Sequence, residues 1–403
     1  MRHYYKHATM TLAGAAAVLA SSGAFAQSSV TLYGIVDTGI GYLSNQAPST
    51  GATAGGKSVV KMLEGVWGGE RFGLTGSEDL GGGTKAIFKL EEGFNLDNGT
   101  MGKSGLAFNR ASWVGLDNAK FGTFTAGRQY TPYYTLLSPY SPTTWLTGAF
   151  GAHPGDLDAL DTDYRVNNGL VYTSPSFGGF KVSGMYALGG VAGSFNAGST
   201  WSVAAQYLMG PAGIAVGFAR FNNATNGGGA WSTSSTAYSG TGEQGVSSIT
   251  NGYQNAAAQQ RFAVTGGYKF SPQWDVSATY SNVQYLPGIS SGFTDKAIFN
   301  TAGAVLHFRP ASVWDLAVGY SYTRATKANG IQDAASYQQV NLTQLYSLSK
   351  RTRIYVLEAY QRANGQTLST SGKAVTATAS IGEQSASATR SQFAATIGIN
   401  HQF

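Results

Sequence analysis

Charged side chains make up only 11% of the 403 residues, so the positions where they fall are the first chemical signal. Arg71, Lys85, Lys89 and Arg165 each stand in an alternating run: Phe72 and Leu74 follow Arg71, Ala86, Phe88 and Leu90 flank the lysines, and Val166, Leu170 and Tyr172 follow Arg165. In an extended strand this places the bases on one face and the apolar residues on the other. The segment 130–164 has no Lys or Arg but carries Asp156, Asp158, Asp161 and Asp163 among Pro, Tyr and Thr. A basic face opposed to an acidic segment makes a transverse field that orients dipolar solutes and tunes ion preference, because low-dielectric walls focus it. The same carboxylates would also suit a solvated loop or, with backbone carbonyls, a divalent cation.

Motifs of catalysis occur only as strings out of context. Gly51-Ala52-Thr53-Ala54-Gly55-Gly56-Lys57-Ser58 fits the phosphate-binding pattern, but polar residues precede it and Val59-Val60 follow, where a strand and a helix are required. Gly288-Ile289-Ser290-Ser291-Gly292 fits a nucleophile elbow, yet it follows Pro287 in a polar stretch. His153 and His307 remain as candidate bases of a hydrolase, a reading that the patterning elsewhere outweighs. The chain is expected not to be an enzyme and to need no cofactor or metal. With no Cys, disulfides and thiolate metal sites are excluded.

The elements that must position the charged faces are strands. Phe262, Val264, Gly266, Tyr268 and Phe270 alternate with Arg261, Ala263, Thr265, Gly267 and Lys269, and Trp274, Val276, Ala278 and Tyr280 repeat the pattern after a short turn. It recurs at Trp314 to Tyr322 and at Phe393 to Phe403. No stretch after the N-terminus reaches 18 consecutive apolar residues, so helical spans are excluded. Alternation alone also fits a soluble sandwich, but three features favour a membrane barrel. Aromatics end the apolar faces, as with Trp201 and Tyr207, Trp274 and Tyr280, and Trp314 and Tyr322. Short turns, such as Gly210-Pro211 and Ser271-Pro272, alternate with long polar stretches, such as 222–259 and 363–389. The chain also ends on Phe403 at the tip of the last apolar face, the position of an assembly signal.

About sixteen strands of roughly ten residues are expected, enough to enclose an aqueous lumen, with both termini on the short-turn side. Arg2 and Lys6, the apolar run after Thr9, and Ala24-Phe25-Ala26 read as a signal peptide over 1–26, leaving 27–403 as the barrel. Cleavage would lower the formal net charge of +6 by two, too slight a bias for a nucleic-acid partner. Bases on the lipid face near the midplane cost about 2–4 kcal/mol, so Arg71, Lys85, Lys89 and Arg165 are expected in the lumen.

Several runs resemble the general porins of beta-proteobacteria. They are Ser29-Val30-Thr31-Leu32-Tyr33-Gly34 with Asp37, Arg71-Phe72-Gly73-Leu74-Thr75-Gly76-Ser77-Glu78-Asp79-Leu80-Gly81-Gly82-Gly83, and Phe108-Asn109-Arg110 before Val114-Gly115-Leu116. Phe121-Gly122-Thr123, Gly127-Arg128-Gln129, Tyr172-Thr173-Ser174-Pro175-Ser176-Phe177, Leu348-Ser349-Lys350-Arg351-Thr352 and His401-Gln402-Phe403 continue the likeness. The resemblance implies an all-β, 16-stranded antiparallel transmembrane barrel, a homotrimer in the outer membrane of a Gram-negative bacterium. Its third loop, here about 130–164, would fold inward and narrow a channel for passive diffusion of ions and small hydrophilic solutes. Outer-membrane lipid and lipopolysaccharide would surround it, and strands one to five, with Gly34, Gly76 and Ala126 outward, would form the contact between copies. The family motifs also place Arg110 and Arg128 in the basic wall, although alternation aims both outward; a bulge at the loop junction would re-aim them. In the third loop, Tyr133, Tyr134, Tyr140, Trp145 and Phe150 are expected to anchor the loop, with a solute-guiding track as the alternative.

Overall fold

The computed structural model describes residues 29–47, 56–142, 147–161, 165–238 and 247–403. The expected signal peptide lies outside them. The strands are β1 (Ser29–Gln46), β2 (Lys57–Glu64), β3 (Arg71–Gly81), β4 (Thr84–Glu92), β5 (Ala111–Asn118), β6 (Gly122–Tyr130), β7 (Arg165–Thr173), β8 (Phe180–Ala187), β9 (Thr200–Met209) and β10 (Ala212–Asn222). They continue with β11 (Ala258–Lys269), β12 (Trp274–Leu286), β13 (Ala297–Ala311), β14 (Trp314–Ala325), β15 (Ser336–Ser347), β16 (Thr352–Asn364), a small hairpin β17 (Gln366–Leu368) and β18 (Ala374–Thr376), and β19 (Ser391–Gln402). Each neighbour pairs antiparallel, and β1 pairs with β19, so the sheet closes. β2 and β3 both pair with β1 and lie end to end as one wall strand, which makes a closed barrel of 16 strands. Closure leaves no edge and pairs the backbone inside the wall.

The alternation read from the sequence is the alternation of the wall. Val30, Leu32, Ile40, Leu74, Val114, Ile214 and Ile397 are exposed on the outer face, as a lipid-facing belt requires. At the short-turn end Trp274 stacks on Phe308 at 4.1 Å, and Trp314 meets Tyr346 edge-on at 4.9 Å. The turns fall where the breakers stand; between β3 and β4, Gly81 and Gly82 take φ of +82° and +60°, and Asp79 Oδ1 accepts from the Gly81 N–H. Phe403 closes the seam: its N–H and C=O both pair with Gly34 at 3.1 Å, and its ring lies over that glycine.

Inside, the lumen is filled unevenly. The segment after β6 turns inward as helix α1 (Pro132–Leu137), capped by Thr131 Oγ1 accepting from the Tyr134 N–H at 3.3 Å, with Pro132 opening the helix. α1 lies on β9 and β10, where inward-facing Gly213, Ala215, Gly217 and Ala219 leave room; a Cβ at Gly217 would stand 2.9 Å from Leu137 Cδ1. Tyr133 donates to the Asp158 C=O, and Thr265 Oγ1 to the Leu137 C=O. Further along, Gln339 Nε2 of β15 donates to the carbonyls of Phe150 and Ala152. The long segments after β10 and β16 fold in above: Thr367 Oγ1 donates to the Ile249 C=O, and Leu157, Tyr253, Tyr285, Phe299 and Tyr337 form one apolar cluster.

Candidate functional site

The open side of the lumen lies against β1–β7, and its charged groups converge on Glu91. Inward alternation along β4 carries Lys85, Lys89 and Glu91 on one face. Glu91 Oε1 accepts from Arg110 Nε at 2.9 Å, while its Oε2 meets Lys89 Nζ at 3.0 Å and accepts from Tyr33 OH at 2.7 Å. Lys89 also stands 5.4 Å from the Tyr33 ring centre. Arg110 precedes β5, and the left-handed Phe108 (φ 56°) turns the chain before it, so the side chain reaches the lumen although the parity of Val114 and Leu116 would send it outward. Its Nη2 donates to Tyr130 OH at 3.3 Å. Arg165, opening β7, donates to the same phenol oxygen and lies 4.6 Å from the centre of the Tyr130 ring, which stacks on Tyr134 at 4.5 Å. The phenol thus spaces two guanidiniums.

Arg71 enters from a protrusion between β2 and β3. Residues 65–70 leave the wall, with Gly65 at φ +63° and its N–H on the Asp37 C=O at 3.0 Å. Buried Asp37 holds the protrusion from below: its carboxylate accepts from Tyr355 OH at 2.7 Å, from Asn400 Nδ2 at 2.8 Å and from the backbone of Trp67 and Gly68. Trp67 lies over Tyr355 and under the Arg353 guanidinium, 5.2 Å from its ring centre. Arg71 Nε then donates back to the Gly69 C=O at 2.8 Å. A Cβ on Gly69 would lie 3.4 Å from Arg110 Nη1 and 3.7 Å from Arg71 Nη2, so the missing side chain lets two like charges approach the backbone. The protrusion meets the inward loop where the Ala149 N–H donates to the Val66 C=O at 2.6 Å.

Sequence-expected residues separate into groups. Arg71, Arg110, Arg165 and Lys89 come together. Arg128 lies beside them in an irregular register, where β7 inserts an extra residue at left-handed Asn168; it donates to the Asn109 C=O and to Asn167 Oδ1, both at 2.7 Å. Lys85 pairs across from Asp79 and Asp117 at the short-turn rim, away from the cluster. Of the four loop aspartates, Asp161 lines a cavity of about 130 Å³ with Arg71, Tyr134 and Glu383. Asp156 accepts from the Asp161 N–H at 3.1 Å and shapes the loop.

Asp158 differs from the pore-facing expectation: it is fully buried, its Oδ2 at 2.6 Å from both His153 Nδ1 and Ser281 Oγ. Burial pushes its carboxyl up, but the His153 ring, the Ser281 hydroxyl and Arg261 outweigh this and hold it below the usual carboxylate value. Asp163 lies outside the described residues, as does Trp145. Tyr133 and Phe150 are fully buried and Tyr140 nearly so, as anchors.

Sequence reasoning passed over Glu91, Glu70, Glu383, Tyr130 and Trp67. Only Glu91 carried a signal, the shared parity with Lys89. The hydrolase candidates are occupied otherwise: His153 faces Asp158, and His307 lies between Asp275 and Asp315 at 2.9 Å from each. Gly288–Gly292 form a loop between β12 and β13, and Lys57-Ser58 open a strand; residues 51–55 lie outside the described set.

A profile of the Gram-negative porin family matches residues 13–366. An outer membrane porin protein of Bordetella pertussis is 39% identical over 180 residues, 41% of this chain and 45% of that protein. Outer membrane porin protein 32 of Delftia acidovorans is 40% identical over 182 residues, 43% of this chain and 48% of that protein. The match thus spans about half the length of these curated relatives. Among solved structures, the anion-selective porin from Comamonas acidovorans superposes with a TM-score of 0.63 at 24% identity, over 94% of this chain and 100% of that one. A trimer form of OmpT from Vibrio cholerae gives 0.61 at 17% identity, over 93% and 99%.

Proposed function

This chain belongs to the Gram-negative porin family, and we propose that it forms an outer-membrane channel through which ions and small hydrophilic solutes diffuse passively. The observation that supports the reading is the cluster of Arg71, Arg110 and Arg165 about Tyr130 on one wall, with the loop carboxylates Asp161 and Glu383 lining one cavity with Arg71. A solute crossing there passes between fixed charges of opposite sign, which replace part of its hydration and orient its dipole. Glu91 neutralises part of the basic wall, so the net field leans towards anions without excluding cations. Arg128 and Lys89 extend the basic wall above and below, and Lys85 marks the inner exit. The chemistry is that of a channel rather than of an enzyme.

The assembly is a homotrimer that buries the β1–β5 face, surrounded by outer-membrane lipid and lipopolysaccharide, after cleavage of the signal peptide near Ala26. Phe403, bonded to Gly34, is the assembly signal that completes the seam. Single-channel recording of the refolded protein in a planar bilayer under a salt gradient tests this reading. Large ohmic steps in groups of three are expected, with a reversal potential of the sign for anion preference. Folded, inserted protein without conductance overturns it.

A further inference from the structure

Resting on that reading, we infer that the outer vestibule of the channel binds zwitterionic solutes that carry an ammonium group at one end and a carboxylate at the other. A cavity of about 450 Å³ opens above the arginine cluster, within the size range of small-molecule sites. Its charged lining is balanced, with Glu64, Glu70, Asp97 and Glu383 against Lys61, Lys103, Arg110 and Arg165. The two signs are not fully mixed. Arg110 and Arg165 share Tyr130, whereas the Glu64 and Asp97 carboxyls stand within hydrogen-bonding reach of each other and close to Glu70. Carboxylates so placed need a proton or a cation between them.

Lys61 stands near Glu64, but among the described residues no base is paired with Glu70, whose carboxyl is pushed up to about 8 by burial, so that above this pH it calls for a cation. Glu70 is 6% exposed, its Oε1 has no hydrogen-bond partner among the described residues, and no base there lies within ion-pair distance of it. The nearby Arg110 holds Glu91 with Nε and Tyr130 with Nη2 and forms no ion pair with Glu70, while its Nη1 faces the Gly69 backbone. A buried acceptor without a donor is costly, and the cost is relieved when a ligand brings one. An ammonium, a compact head with three donors, fits the acidic pole; planar guanidiniums fit a carboxylate at the basic pole. A simple anion or cation satisfies one pole only, and a zwitterion satisfies both. Glycines 65 and 69 keep the backbone between the poles free of side chains: the position of a Gly65 Cβ is 2.7 Å from Glu70 Oε2, and that of a Gly69 Cβ is 3.4 Å from Arg110 Nη1.

The test is ion-current fluctuation analysis of the full-length protein at pH 8.5, with 6-aminohexanoate, hexanoate or hexylammonium added on the outer side. The zwitterion is expected to reside about tenfold longer than either single-charge analogue, the gain of one further charge-assisted contact. Glu70→Gln should bring it to within about twofold of hexanoate, and Glu64→Gln, a second variant on the same lining, should move it in the same direction. Equal residence of the three solutes in a conducting channel, or an unchanged preference in both folded variants, overturns the inference and leaves the channel reading intact. A non-conducting barrel instead overturns the channel reading; equilibrium binding of 6-aminohexanoate to the detergent-solubilised protein then reads the vestibule without current, and absence of binding there overturns the inference.

Discussion

The walls β8–β16 and β1–β7, joined through β19, enclose one lumen and treat it in opposite ways. Against β8–β16 the interior is packed: α1 lies on a glycine and alanine stripe of β10, Gln339 and Gln361 bind loop carbonyls, and Tyr285 of β12, Tyr337 of β15 and Tyr253 of the segment after β10 share one cluster. Against β1–β7 the interior carries ionised side chains gathered around Glu91 and Tyr130. Packing holds the loop still, and the stillness gives the opposite charges a fixed separation. In the proposed channel a selectivity field is useful only if its sources do not relax towards each other, a task that falls to the packed half.

Removing the anchor should break this comparison most strongly. Tyr133 is fully buried, donates its backbone N–H to Ser202 Oγ and donates its hydroxyl to the Asp158 C=O. Tyr133→Ala is expected to destabilise the packed half by about 3–5 kcal/mol. Denaturant unfolding of the detergent-solubilised barrel measures the loss, and single-channel traces should become noisier as the loop moves. A quiet channel of unchanged stability would show that the loop is held by something other than its apolar side.

Asp158→Asn acts on the same half with a smaller effect, about 1–3 kcal/mol, because it weakens charge-assisted contacts to His153 and Ser281 without opening a cavity. The pH dependence follows from the direction of its shift. A carboxyl held below its ordinary value of 3.8 contributes stability that is fully present above that pH and is lost as pH falls through the lowered folded-state value. The stability difference between wild type and Asp158→Asn should therefore shrink as pH falls below about 4. A difference that vanishes between pH 5 and 7 would assign the latch to another group.

The two halves were also unequally legible in the sequence. Strand alternation and short turns are local, and they placed Arg71 and Lys89 inward because period 2 survives along β3 and β4; in β7 the extra residue at Asn168 breaks the period, and Val166, expected outward, is buried in the interior cluster beside Arg165. Glu91 obeys the same parity as Lys89 and was readable, though it was passed over. Arg110 was not placed by parity, since Phe108 with φ 56° turns the chain outside any strand pattern. Glu70 and Trp67 were hidden because residues 65–70 interrupt a strand, and their positions depend on Asp37, Tyr355 and Asn400, which come from distant parts of the chain. Asp158 looked like its neighbours until Ser281, 123 residues later, proved to be its partner. Non-local pairing of this kind leaves no trace in spacing.

The smallest effect on stability should come from the charged half, and it sharpens the comparison most. Among the described residues Arg71 makes one side-chain hydrogen bond, to the Gly69 C=O beside it, and it borders the cavity that Asp161 lines. Its neighbours Arg110 and Arg165 repel it, so Arg71→Gln removes as much like-charge strain as it removes contact. Unfolding is expected to change by no more than about 0.5 kcal/mol. The reversal potential, in contrast, should move towards cation preference, because one of the guanidiniums opposite Asp161 and Glu383 is gone while both carboxylates remain. The shift should be larger at low salt than at high salt, where mobile ions screen the fixed charges. If instead Arg71→Gln unfolds the barrel as readily as Tyr133→Ala while leaving the reversal potential unmoved, the arginine is structural, and the division of labour between the two walls fails.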